Sequence, residues 1–336
     1  MKFINETLLQ AAAMPLIGPK GGNLLTVIVK GTFVFDSNQC EPADDQLPIA
    51  YGDIYHDEAA GGAIRYESDI VPFKPRTDIV LEALAYAPGG KPVEVVPAAV
   101  KVGPVEKRIV VFGERFWNHA GILSRKYTMT AVKPFTCKPI RYSDAFGGMD
   151  KTTGEYCTQN LTGKGLYSKK SKPAGQPLPC IEDSKHLIRR ITDRPPPAGF
   201  GFCHRAWQPR AAYAGTYDDT WRKQRSPLPP EDFDARFYNG AHPDLQADGY
   251  LKGDEMVELL NLTPAGRTSF GLPGLHPFVT VTPRAEKNGN GKKEICGMNL
   301  DTVFIEPEKT RFSLVWRLGL PINDPTLEPD SVQIDV

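Results

Sequence analysis

Two aspartates and a histidine fall close together in "EDFDARFYNGAHPD": Asp232, Asp234 and His242, with Asp244 just behind. Carboxylates whose surroundings drive their pKa values apart, next to an imidazole, can supply the acid and the base of a hydrolysis reaction. Carbohydrate or peptide would be the substrate. Arg222, Arg225 and Arg236 are close by in sequence. Each Asp therefore has a cation close by in sequence, and ion-paired carboxylates in a proline-bounded loop are the commoner outcome. A hydrolase using Asp232, Asp234 and His242 is one reading; a braced, non-catalytic surface loop is the other.

Other constellations are weaker. "GDIYHDE" offers Asp53, His56 and Asp57, types that ligate metals, but charged clusters between turns are usually solvated. No G-x-S-x-G elbow occurs, and no cysteine has a catalytic flank. "GPKGGN" and "LTGKG" lack P-loop spacing, and "AGFGF" lacks the third glycine of a dinucleotide fingerprint. No cofactor or metal is expected. The four tryptophans could stack on sugars, although in a β protein they more often fill the core.

The elements that would position these residues read as strands. In "TVIVKGTFVF", Val27, Val29, Phe33 and Phe35 alternate with Thr26, Lys30 and Thr32, which is a period of two. "RFSLVWRLGL" repeats the pattern with Phe312, Leu314, Trp316, Leu318 and Leu320. "TDIVLEALAYA", "KPVEVVPAAVKVG" and "EKRIVVFGERFW" are further strands, punctuated by "PGG" and "GP". "TVFIEPEKTRFSLVW" is a hairpin turning at Glu306 to Lys309, and "EKNGNGKKE" a turn between Val281 and Ile295. Two short helices are expected. One covers Glu182 to Ile191, with acids early and arginines late; the other is "TYDDTWRKQR", capped by Thr216 and stopped by Pro227. The predicted fold is mainly β: an antiparallel, sandwich-like body with long loops and one or two short helices. It forms one unit over 1–336, divisible into a lobe at 1–142, a loop-rich connection at 143–198 and a lobe at 199–336.

Bulk properties narrow the function. Forty basic residues balance forty acidic ones, so neither nucleic acid nor an anionic membrane is an expected partner. Six scattered cysteines without a C-x-x-C pair point to free thiols in a cytoplasmic protein. "LLQAAAMPLIG" is interrupted by polar residues and makes a poor signal peptide, and no apolar run is long enough to span a bilayer.

Five blocks carry a resemblance: "KGTFVF", "SDIVPFKPRTDIVL", "GFGFCHRAWQPRAAYAGTYDDTWRKQRSPLPPEDFDARFYN", "GYLKGDEMVELLNLTPAG" and "NLDTVFIEPEKTRFSLVWR". In order and across nearly the whole chain, they resemble a bacterial family long catalogued as a domain of unknown function. Its genes lie among type VI secretion clusters. The resemblance implies an adaptor or chaperone that helps load a secreted effector, often one with a PAAR domain, onto the VgrG spike. It brings no catalytic residues with it. Within the third block, Trp221, Arg222, Arg225, Asp232, Asp234 and Arg236 are the residues a structured loop would present to such a partner, because Trp and Arg are enriched at interaction hot spots. An adaptor must release its client, so a polar interface of moderate size is expected.

Overall fold

In the computed structural model, residues 1–36, 39–56, 63–121, 126–282, 293–322 and 329–336 are described. The alternating segments are strands, and antiparallel pairing dominates. One sheet runs in the order Gln10–Ile17, Asn23–Phe35, Arg311–Pro321, Asn299–Glu306 and Asp78–Leu81, with Cys40–Pro42 added beside Asn23–Phe35. Its last pair is parallel. A second, wholly antiparallel sheet runs Ile181–Asp183, Val105–Phe112, Val95–Val102, Met256–Leu260 and Arg267–Gly271. A third joins Lys2–Asn5, Ser331–Asp335, Phe278–Thr282 and Glu294–Gly297. The two larger sheets each take strands from both the 1–142 and the 199–336 regions. The expected hairpin turns at Pro307–Lys309, whereas residues 283–292 of the other predicted turn lie outside the described residues.

The two larger sheets meet through an aromatic seam. Phe35 stacks on Phe270 at 4.1 Å between ring centroids, and Phe270 stacks on Phe312 at 5.2 Å. These rings belong to one continuous core with Val29, Val100, Ile109 and Leu314. Their geometry adds to the area they bury. The polar face of Asn23–Phe35 is covered too. Thr26 Oγ1 donates to Pro72 O at 3.2 Å, Lys30 Nζ to Asp69 at 2.8 Å, and Gln46 Oε1 accepts from Thr32 N at 2.8 Å. A covered polar face needs partners for its polar groups, and Gln46, Asp69 and Pro72 supply these three.

The helix expected at Glu182 to Ile191 does not form. Its first residues are strand instead, with Ile181 opposite Val111 and Asp183 opposite Ile109. Glu182 is buried in an ion pair with Arg115, and its other oxygen accepts from Ile188 N at 2.7 Å. Burying Ile181 and pairing Glu182 outweigh a weak helical pattern. The second helix is present as Asp219–Gln224, but its cap is Asp218, whose side chain accepts from Trp221 N at 2.8 Å, and not Thr216. The 143–198 region is irregular yet packed, with Phe146, Leu166, Leu178 and Ile188 sharing a small core with Trp117. Among the described residues, no helix is long and apolar enough to cross a membrane. All six cysteines are free thiols.

Candidate functional site

The 214–239 block leaves the body at a buried root and carries an exposed tip. Gly215 opens the tip with φ at 81°, a left-handed conformation, and a Cβ there would meet Asp232 Oδ1 at 2.7 Å. Asp232 then closes the base of the loop by accepting from Thr216 N at 2.9 Å and Thr216 Oγ1 at 2.7 Å. Those hydrogen bonds hold its carboxyl below the ordinary value.

Inside that closure stands the short helix. The Trp221 indole, half-buried, donates Nε1–H to Leu228 O at 2.8 Å and meets the Tyr217 ring edge-on at 4.6 Å. Arg225 Nε donates to Pro229 O, and its guanidinium reaches Glu231 at 3.7 Å. Arg222 pairs with Asp219 at 2.9 Å, both well exposed. A shallow hollow of about 330 Å³ lies between Trp221, Arg225 and Pro230. Further on, Asp234 caps the turn at Ala235–Tyr238 and accepts from Arg236 N and Arg236 Nε, each at 2.9 Å. Arg236 holds the Asp234 carboxyl below its usual range and lies 4.3 Å over the Tyr213 ring.

The root uses the same side-chain types in the opposite setting. Arg210 is buried; it donates to Phe237 O and Cys203 O at 2.8 Å each. Its Nη2 lies 2.7 Å from Glu67 Oε1, an ion contact off the hydrogen-bonding direction. Arg205 reaches the same Glu67 oxygen at 3.1 Å and pairs with Asp53. Asp78, fully buried on its strand, accepts from Lys74 Nζ at 2.8 Å, Asn239 Nδ2 at 3.0 Å and Gly240 N at 2.8 Å. The end of the block is thereby tied to the first sheet.

The structure distributes the sequence-derived candidates. Asp232 belongs to Thr216, Asp234 to Arg236, and His242 to a third group. His242 Nδ1 lies 3.2 Å from Lys107 Nζ, which donates to Asp244 at 2.8 Å. Burial, reinforced by the Lys107 charge, pushes His242 down to about 4. Burial works against ionisation of Asp244, yet the Lys107 hydrogen bond and charge hold it low. Lys107 faces inward from its strand beside a cleft of about 590 Å³. Neither it nor Asp78, Glu67 and Arg210 gave a local sign in the sequence. Asp53 pairs with Arg205 and His56 faces Glu82 at 3.1 Å, while Asp57 lies outside the described residues. Among the described residues, no three metal-ligating side chains gather.

A family model described as an uncharacterized protein conserved in bacteria (DUF2169) matches residues 20–317. No curated protein and no solved structure matches the chain.

Proposed function

We propose, from the premise that this chain belongs to the DUF2169 family of uncharacterized proteins conserved in bacteria, that it acts by binding alone, as a type VI secretion adaptor. It would hold a secreted effector of the PAAR-containing kind and deliver it to the VgrG spike. One observation carries this reading. Within the tip Asp232 binds Thr216, the Trp221 indole binds Leu228 O and Arg225 binds Pro229 O, and a buried network fixes its root, so Trp221 and Arg225 are held in place on a feature that also exposes Arg222. A side chain fixed before binding loses less freedom when a partner arrives. The type VI assignment itself is supported by the sequence resemblance.

Co-expression with a PAAR-containing effector and its VgrG spike tests the proposal. The adaptor raises the soluble yield of the effector and purifies with it. Trp221→Ala combined with Arg225→Ala weakens the complex by about 2 kcal/mol or more, while the thermal midpoint shows that the body is still folded. A folded wild-type chain that binds neither effector nor spike overturns the adaptor reading.

A further inference from the structure

The strongest unassigned surface lies away from the tip, between residues 149 and 172. Three large apolar side chains are exposed there: Met149 and Tyr156 at 59% each, and Leu161 at 44%. Met149 and Tyr156 sit opposite each other in an antiparallel bridge, and Met149 and Leu161 line one groove of about 440 Å³. Isolated exposed apolar residues are ordinary, but a contiguous set with a charged border marks an interaction site.

The border is basic. Lys151, Lys169, Lys170 and Lys172 are exposed, while Lys164 is paired with Asp144 at 2.8 Å. Against them stands one exposed acid, Glu155, because Asp150 is buried.

Asp150 makes this surface rigid. Its carboxylate accepts from Thr152 N at 2.9 Å, Thr153 Oγ1 at 3.1 Å, Ser168 N at 2.9 Å and Ser171 Oγ at 2.6 Å. One buried group thus ties the loop beside Met149 to the loop bearing the lysines. Burial opposes its charge, yet these donors hold the carboxyl far below the ordinary range. Beneath it the backbone is close-packed: Gly148, with φ at 79°, could carry a Cβ only 2.2 Å from Gly163 O.

We propose that this face docks an acidic segment of the client protein that carries an apolar anchor. The anchor fills the groove at Met149 and Leu161, and the acids meet Lys169, Lys170 and Lys172. A second copy of the chain fits poorly, because an isologous contact would set lysines against lysines. The inference rests on the adaptor reading only in naming the client as the secreted effector.

Fluorescence anisotropy on the full chain tests it with a labelled peptide in which a Leu-Trp pair is flanked by glutamates. Binding is expected to weaken at least about tenfold when Met149→Ser is combined with Leu161→Ser, and again when Lys169, Lys170 and Lys172 are changed to Glu. A peptide with lysines in place of the glutamates should not bind. Equal binding of a peptide whose Leu-Trp pair is replaced by serines overturns the inference, as does indifference to both sets of substitutions. Phosphatidylglycerol vesicles are a control: capture of the chain by vesicles but not by peptide, lost in the same variants, assigns the face to a membrane and also overturns it. All five substituted side chains are exposed, and an unchanged thermal midpoint confirms the fold. Effector co-purification then separates the two proposals. Full recovery of effector by both variants sinks this docking site and leaves the adaptor standing, whereas no effector on wild type sinks the adaptor and leaves the peptide measurement to judge the surface.

Discussion

The root and the tip of the 214–239 block are built from the same aspartates, arginines and aromatics, yet burial gives them different work. At the root, Arg210, Glu67 and Asp78 have left water, and each charge depends on its partners. At the tip, Arg222 and Asp219 stay in water, where an ion pair contributes little. Residue type therefore decides neither scaffold nor surface; the loss of solvent does. The comparison breaks most readily at the root. Arg210→Ala leaves Glu67 with only the partly exposed Arg205 and takes the donor from Phe237 O and Cys203 O, and Asp78→Asn removes the carboxylate to which buried Lys74 donates. Each is expected to destabilise by about 3–5 kcal/mol, read from urea midpoints. A loss of well under 1 kcal/mol in both would make the root as dispensable as the tip.

Next in size is a pH effect at the cleft beside the root. The His242 pKa is depressed to about 4 in the folded chain, against about 6.5 unfolded. As pH falls through that window, the unfolded chain takes up a proton that the folded one refuses. Stability is therefore complete above pH ~6.5 and declines towards pH ~4, by on the order of 3 kcal/mol in all. Urea midpoints across this window should slope for wild type and flatten in His242→Asn. Parallel slopes would place the acid-sensitive group elsewhere.

The buried carboxylate under the basic face comes third. Asp150→Asn keeps the size but turns an acceptor into a donor facing Ser171 or a backbone N–H, at a cost of about 1–3 kcal/mol. Because the Asp150 pKa is lowered, its contribution is complete above pH ~4 and is lost as pH falls further. The wild-type chain should thus lose its advantage over Asp150→Asn in acid, which paired unfolding curves at neutral and low pH will show. An advantage that persists in acid would deny the carboxylate this role.

Much of the β architecture was legible because its signal is local. Alternation at Thr26 to Phe35 and Arg311 to Leu320 marks strands without knowledge of any partner. The tip was half legible: helix, stop and acidic start could be read, but Thr216 and Asp218 are both good caps, and only the fold gave Thr216 to Asp232. The root was not legible. Asp78 meets Asn239 across 161 positions, and Lys107 meets His242 across 135. Nothing near any of them in sequence announces the other. The Glu182 to Ile191 error has the same origin, since Arg115 and a distant strand took a segment whose local pattern suggested a helix.

The smallest expected effect sharpens the comparison most. If the tip is a presented surface, its outermost ion pair should be nearly irrelevant to folding. Arg222 and Asp219 stand one helical turn apart, both exposed, and holding two long side chains in one geometry offsets most of their attraction. A double-mutant cycle of Asp219→Ala and Arg222→Ala should give a coupling energy below about 0.5 kcal/mol, shrinking further as salt is raised. The helix itself should persist, because Asp218 still caps it and Trp221 still binds Leu228 O. The same two substitutions, measured in the effector co-purification, report on contact without a folding penalty to confuse them. A coupling near the 3–5 kcal/mol of the root would mean that the tip is scaffold after all, and Trp221 and Arg225 would then lose their claim to the partner.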